Sequence, residues 1–145
     1  MHRRVYLAAV GTAVSAGLAG CSSAISTGGS DPCPGEDCHI GMNRTTFLPD
    51  VYEISVGETV VWKNTSEAYH TVTAYDNGIP DGAAFFATGG FENQESARNA
   101  WQLEQAGRLG PRETFEHTFE VPGTYEYFCI PHERAEMDGK IVVSE

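Results

Sequence analysis

Cys129, His132 and Met137 stand within nine residues of one another, in the stretch Tyr127-Phe128-Cys129-Ile130-Pro131-His132-Glu133-Arg134-Ala135-Glu136-Met137. A thiolate is a soft anion, an imidazole a borderline neutral donor and a thioether a soft, weak one. A loop this short can fold all three around one ion. A thiolate and two imidazoles with a long, weak thioether form the donor set of a blue copper centre, which Cu(I) and Cu(II) both tolerate. Zinc sites favour more thiolates or imidazoles and have no reason to recruit methionine. The chemistry expected of these residues is therefore one-electron transfer at a single copper ion.

The second imidazole must come from elsewhere in the chain, which has five histidines. His2 belongs to the N-terminal leader, and His39 lies beside a Gly- and Pro-rich stretch. His117 shares its side of a strand with Phe115 and Phe119 and reads as a core or edge residue. His70 follows the polar turn Asn64-Thr65-Ser66-Glu67-Ala68-Tyr69 and begins a strand. A rigid strand end is a good place for a ligand.

The elements that position these residues read as short strands broken by turn signals. They are Thr45–Pro49, Val51–Val56, Thr59–Asn64, Tyr69–Ala74, Glu113–Glu120, Thr124–Cys129 and Gly139–Val143, with turns at Gly57-Glu58 and Pro122-Gly123. The pattern predicts an all-β Greek-key sandwich over residues 43–145. An insertion at about 81–112 interrupts it. Within that insertion Glu92–Ala106 predicts a helix, with Gly107 as its cap. Phe85, Phe86, Phe91 and Trp101 are expected to pack the insertion.

Residues 1–20 read as an address and not as fold. His2-Arg3-Arg4 is a basic opening resembling a twin-arginine signal, and Val5–Gly20 is apolar but short for a membrane span. Leu18-Ala19-Gly20-Cys21 looks like a lipobox, which makes Cys21 the expected lipidation site. Residues 21–42 then read as a flexible tether. Within it, Cys33 and Cys38 fit a local disulfide in an oxidising compartment. They also fit a second soft-metal site with His39 and Met42, a loose haem-attachment pattern, or unpaired thiols. The chain is acidic, with 9 Lys and Arg against 20 Asp and Glu and a formal charge of −11. Such a surface excludes nucleic acid as an expected partner and suits solubility.

The stretch Cys129-x₂-His132-x₄-Met137, after an aromatic strand and before a Gly-led terminal strand, resembles the copper loop of plastocyanin-like cupredoxins. Halocyanins, membrane-anchored small blue proteins of halophilic archaea, are the nearest resemblance. It covers roughly residues 43–145 and includes Val56-Gly57-Glu58-Thr59-Val60-Val61-Trp62 and Phe119–Cys129. The resemblance implies a cupredoxin fold with His70, Cys129 and His132 as strong ligands and Met137 as the weak axial one. His132 would be the electron port. Thr71 stands where plastocyanins commonly place the asparagine that braces their copper loops. The implied protein is a monomeric, lipid-anchored electron shuttle serving redox proteins on the extracytoplasmic face of the cell membrane. It is not an enzyme, because the body has no spare ligand cluster for a second metal or substrate pocket. A copper carrier or store without redox cycling is the alternative.

Overall fold

The computed structural model describes Cys33 and residues 37–145. The expected leader, the Cys21 lipidation site and most of the tether lie outside the described residues.

Two four-stranded sheets face each other. The first contains β1 (Ile40–Met42), β2 (Phe47–Leu48), β4 (Thr59–Asn64) and β6 (Thr114–Thr118), in the order β2-β1-β4-β6. The second contains β3 (Val51–Ser55), β5 (Thr73–Ala74), β7 (Gly123–Phe128) and β8 (Asp138–Ser144), in the order β3-β8-β7-β5. β1 runs parallel to β4, and β3 parallel to β8; the other pairs are antiparallel. The chain therefore crosses between sheets repeatedly, as a sandwich requires.

Alternation decides which side chains fill the space between the sheets. On β4, Val60, Trp62 and Asn64 are fully buried; on β7, Tyr125 and Tyr127 are. Trp62 meets Phe86, Phe115, Phe119 and Tyr127 at ring-centroid distances of 5.4–6.4 Å. Burying a ring system of that size favours folding by about 4–6 kcal/mol before chain entropy is charged against it. Two glycines are required by geometry. Gly57 turns the β3–β4 corner at φ +90°, and a Cβ on Gly139 would fall 2.5 Å from the Tyr127 hydroxyl oxygen.

Three expectations change. The folded body starts before residue 43: Ile40 and Met42 are fully buried, and His39 exchanges backbone and ring hydrogen bonds with Val61. Cys33 and Cys38 are joined as a disulfide, and Asp37 pairs with Lys63. Neither sulfur is thus a thiolate donor, and Met42 is core, so Cys33, Cys38, His39 and Met42 are not assembled as a metal site. Second, Tyr69–Ala74 is not one strand. Only Thr73–Ala74 pairs with β7, while His70 and Val72 find partners at Leu109 and Thr88.

Third, the aromatic residues of 81–112 do not all pack the insertion itself. Phe86 is 3% exposed and stacks on Trp62 and His117 in the main core. Its carbonyl accepts from the Ala74 amide. The helix is shorter than expected: α1 spans Gln94–Glu104, capped by Asn93 Oδ1 on the Ser96 amide at 2.8 Å. It ends at Gln105, which takes the left-handed conformation expected further on at Gly107.

Candidate metal centre

The site lies where β7 ends against the segment entering β5. Cys129 follows β7 directly and is fully buried. The chain then makes a 3₁₀ turn, Ile130–Ala135, and reverses at Glu136 in the left-handed region, φ +60°. The Cys129 amide donates to the Met137 carbonyl at 2.9 Å, and the Met137 amide to the His132 carbonyl at 3.3 Å. Two ends of one loop are thereby tied together, which holds Cys129, His132 and Met137 in register.

His70 approaches from the other segment, its backbone paired in both directions with Leu109 at 2.6 and 3.1 Å. Its Nδ1 lies 3.5 Å from Cys129 Sγ, and His132 Nδ1 lies 3.4 Å from the same sulfur. The three donor atoms all fall within 4.8 Å of one another. Two donors bound about 2.0–2.3 Å from a shared ion at roughly 105° would be separated by about 3.4–3.5 Å. The spacing therefore fits one ion. A thiol, with one proton, cannot donate to both imidazoles at once. Met137, fully buried at the loop's end, supplies the thioether side of the set. His70, Cys129, His132 and Met137 thus form a type 1 copper arrangement, with the chemistry that soft donors and two imidazoles give it.

Electrostatics keep the site neutral without metal. Burial, with the His132 ring as a smaller influence, lowers the His70 pKa to about 4. Burial also lowers that of His132 and raises the Cys129 thiol to about 11. A metal bound by Cys129 would displace the thiol proton. A testable consequence concerns the metal-free protein. A depressed His70 means that the unfolded chain binds the extra proton first as pH falls. Its contribution is complete above pH 6.5, is lost progressively between 6.5 and about 4, and changes no further below that. The loss is on the order of 3 kcal/mol. Denaturant unfolding of metal-free protein across that range should show it, and a flat profile would contradict it.

Thr71 takes over the bracing position. Its hydroxyl accepts from the Ile130 amide at 2.8 Å, and its own amide donates to Cys129 Sγ at 3.4 Å. The threonine thus ties the His70 segment to the loop, as the resemblance leads one to expect of that position. His117 is outside the site, stacked 4.7 Å from Phe86. His39 is likewise elsewhere, against Val61 and Tyr52.

Two further supports of the site leave no local trace in the sequence. Arg98 of α1 forks Glu133 of the copper loop at 2.7 and 3.0 Å, and Tyr75 donates to the same carboxylate at 3.3 Å. The guanidinium sits 4.5 Å over the Phe128 ring, with Tyr75 stacked on that ring at 4.3 Å. The second support is Ser66, whose Oγ is 2.9 Å from His70 Nε2. An Arg on a helix and a Glu after a ligand carry no signal of pairing 35 residues apart. Ser66, two residues from buried Asn64, offered only a turn signature.

Comparison with known proteins follows the same lines. The family described as copper binding proteins, plastocyanin/azurin family, matches residues 36–144. The chloroplastic plastocyanin of Hordeum vulgare is 32% identical over 98% of this chain and 83% of its own length. That of Fritillaria agrestis is 34% identical over 94% and 72%. Among solved structures, amicyanin from Paracoccus versutus aligns at TM-score 0.52 and 27% identity, covering 77% of this chain and 85% of that one.

Proposed function

The chain belongs to the plastocyanin/azurin family of copper-binding proteins, whose members carry electrons and are not enzymes, and from that premise we propose a lipid-anchored blue copper shuttle of the halocyanin kind. The observation that carries this reading is the convergence of His70 Nδ1, His132 Nδ1 and Cys129 Sγ within 4.8 Å, beside buried Met137. These four residues are the proposed ligands. Bound copper supplies the exchange between Cu(I) and Cu(II), and the protein supplies a fixed donor geometry and exclusion of water. The Cys129–Met137 backbone bond and the Thr71 brace hold the donors still, so little rearrangement accompanies a change of charge. His132 is the proposed electron port, because it is the less buried of the two imidazoles. The proposed setting is the extracytoplasmic face of the cell membrane, where the protein, as a monomer anchored through lipid on Cys21, exchanges electrons with redox protein partners.

Copper-loaded protein should be intensely blue when oxidised, bleach on one-electron reduction and recover on reoxidation. Protein that retains Cu(I) and does not cycle would instead be a copper carrier or store. The anchor is tested separately. Cys21→Ser should move the protein from the membrane fraction to the soluble one, and persistent membrane attachment would remove Cys21 as the anchor.

A further inference from the structure

We propose that Asn64 and Ser66 form a buried relay that sets the proton position on His70, leaving Nδ1 bare for the metal and holding the ring by its Nε2–H. The inference rests on the reading of His70 as a ligand, but its first test does not.

The direction of every hydrogen bond follows from one fixed group. Asn64 is fully buried on β4. Its amide nitrogen lies 2.7 Å from the Ala68 carbonyl and 3.0 Å from the Leu109 carbonyl. Only the NH₂ end can face two carbonyl oxygens, so the orientation of the amide is decided. Asn64 Oδ1 is then a pure acceptor. It takes the Ser66 amide at 2.9 Å and faces Ser66 Oγ at 2.7 Å. Two oxygens that close need a hydrogen between them, and Oδ1 carries none. The Ser66 hydroxyl therefore donates to Asn64, in preference to the Ala68 carbonyl at 3.5 Å.

Having spent its proton, Ser66 Oγ can only accept from its other neighbours. One is the Ala68 amide at 3.2 Å, and the other is His70 Nε2 at 2.9 Å. A ring nitrogen at that distance from a lone pair must carry hydrogen. Nε2–H leaves neutral His70 with a bare Nδ1, the atom 3.5 Å from Cys129 Sγ. A hydrogen bond from the far nitrogen of a ligating imidazole fixes the ring and raises its basicity. Leu109 belongs to the network through its carbonyl and to the site through its pairing with the His70 backbone. The 81–112 segment thus takes part in positioning the ligand.

The test uses ¹⁵N-labelled full-length protein without metal, above neutral pH, with imidazole tautomers read by long-range ¹H–¹⁵N correlation. His70 should be a single Nε2–H tautomer whose ring proton exchanges slowly. Ser66→Ala should speed that exchange at least tenfold or mix the tautomers, while Ser66→Thr, which restores a hydroxyl, should recover the original spectrum. An Nδ1–H tautomer in the unaltered protein, or no change in Ser66→Ala, would overturn the relay. Copper-loaded protein gives the second readout. Ser66→Ala should keep its blue colour, bind copper roughly 10- to 100-fold more weakly and show a higher reduction potential, since a less basic imidazole favours Cu(II) less. An unchanged potential would mean that Ser66 only shapes the turn. If the unaltered protein fails to turn blue, the copper reading fails, and the tautomer spectrum still decides the relay.

Discussion

Cys129→Ser is expected to remove the intense visible band of copper-loaded protein entirely while leaving a cooperatively folding domain. The band requires charge transfer from a thiolate sulfur, and Cys129 is the one free cysteine among the described residues. An alkoxide is not available at ordinary pH, so serine offers copper a weak neutral oxygen. Folding should survive because the site gives a hydroxyl partners. Thr71 donates its amide towards this position, and two imidazole nitrogens face it at 3.4–3.5 Å. The remaining cost is that of a buried hydroxyl with imperfect bonds, about 1–3 kcal/mol. Absorption spectra of the loaded variant, paired with thermal unfolding of the metal-free form, separate the two effects. A band that persists would exclude Cys129 from the metal.

The largest loss of stability should come from a residue outside the site. Phe86→Ala is expected to cost about 3–5 kcal/mol, the usual range for deleting a buried aromatic ring. Phe86 touches rings of Trp62, Phe119, Tyr125, Tyr127 and His117. Removing it leaves a cavity bordered by stiff aromatic groups from both sheets, which cannot collapse easily. Leu103→Ala in the same segment is the control: that side chain is 86% exposed and should change stability by less than about 0.5 kcal/mol. Equal midpoints for the two variants in denaturant would mean that Phe86 does not help to hold the main core together.

That contrast also marks where the sequence was legible. The copper loop is contiguous, so its ligand spacing was visible without any tertiary information. The strands around Trp62 and Tyr127 alternate cleanly, because each has one face towards the core. Phe86 sits in a Gly- and Ala-rich stretch with no periodicity, and nothing local distinguishes its ring from those of Phe85 and Phe91. β1 was hidden for a different reason. Its three residues pair in parallel with β4, more than 20 positions away, and they follow a Cys-, Pro- and Gly-rich run that reads as tether. His70–Val72 has strand composition, but its hydrogen bonds go to isolated partners at Leu109 and Thr88. Helix α1 showed weak amphipathicity because Ala97 is its only buried residue and its grip on the body is polar, through Arg98 and Gln94.

The Arg98–Glu133 fork has a consequence for how this molecule can be altered by descent or by engineering. Glu133 adjoins His132, and its charge is met by a helix encoded 35 residues upstream and by Tyr75. The copper loop is therefore not a portable cassette. Transplanted alone into a relative without this helix, it would bring an uncompensated carboxylate to the residue next to a proposed ligand. Positions 75, 98 and 133 should accordingly change together or not at all, and a graft should succeed only when all three travel with the loop.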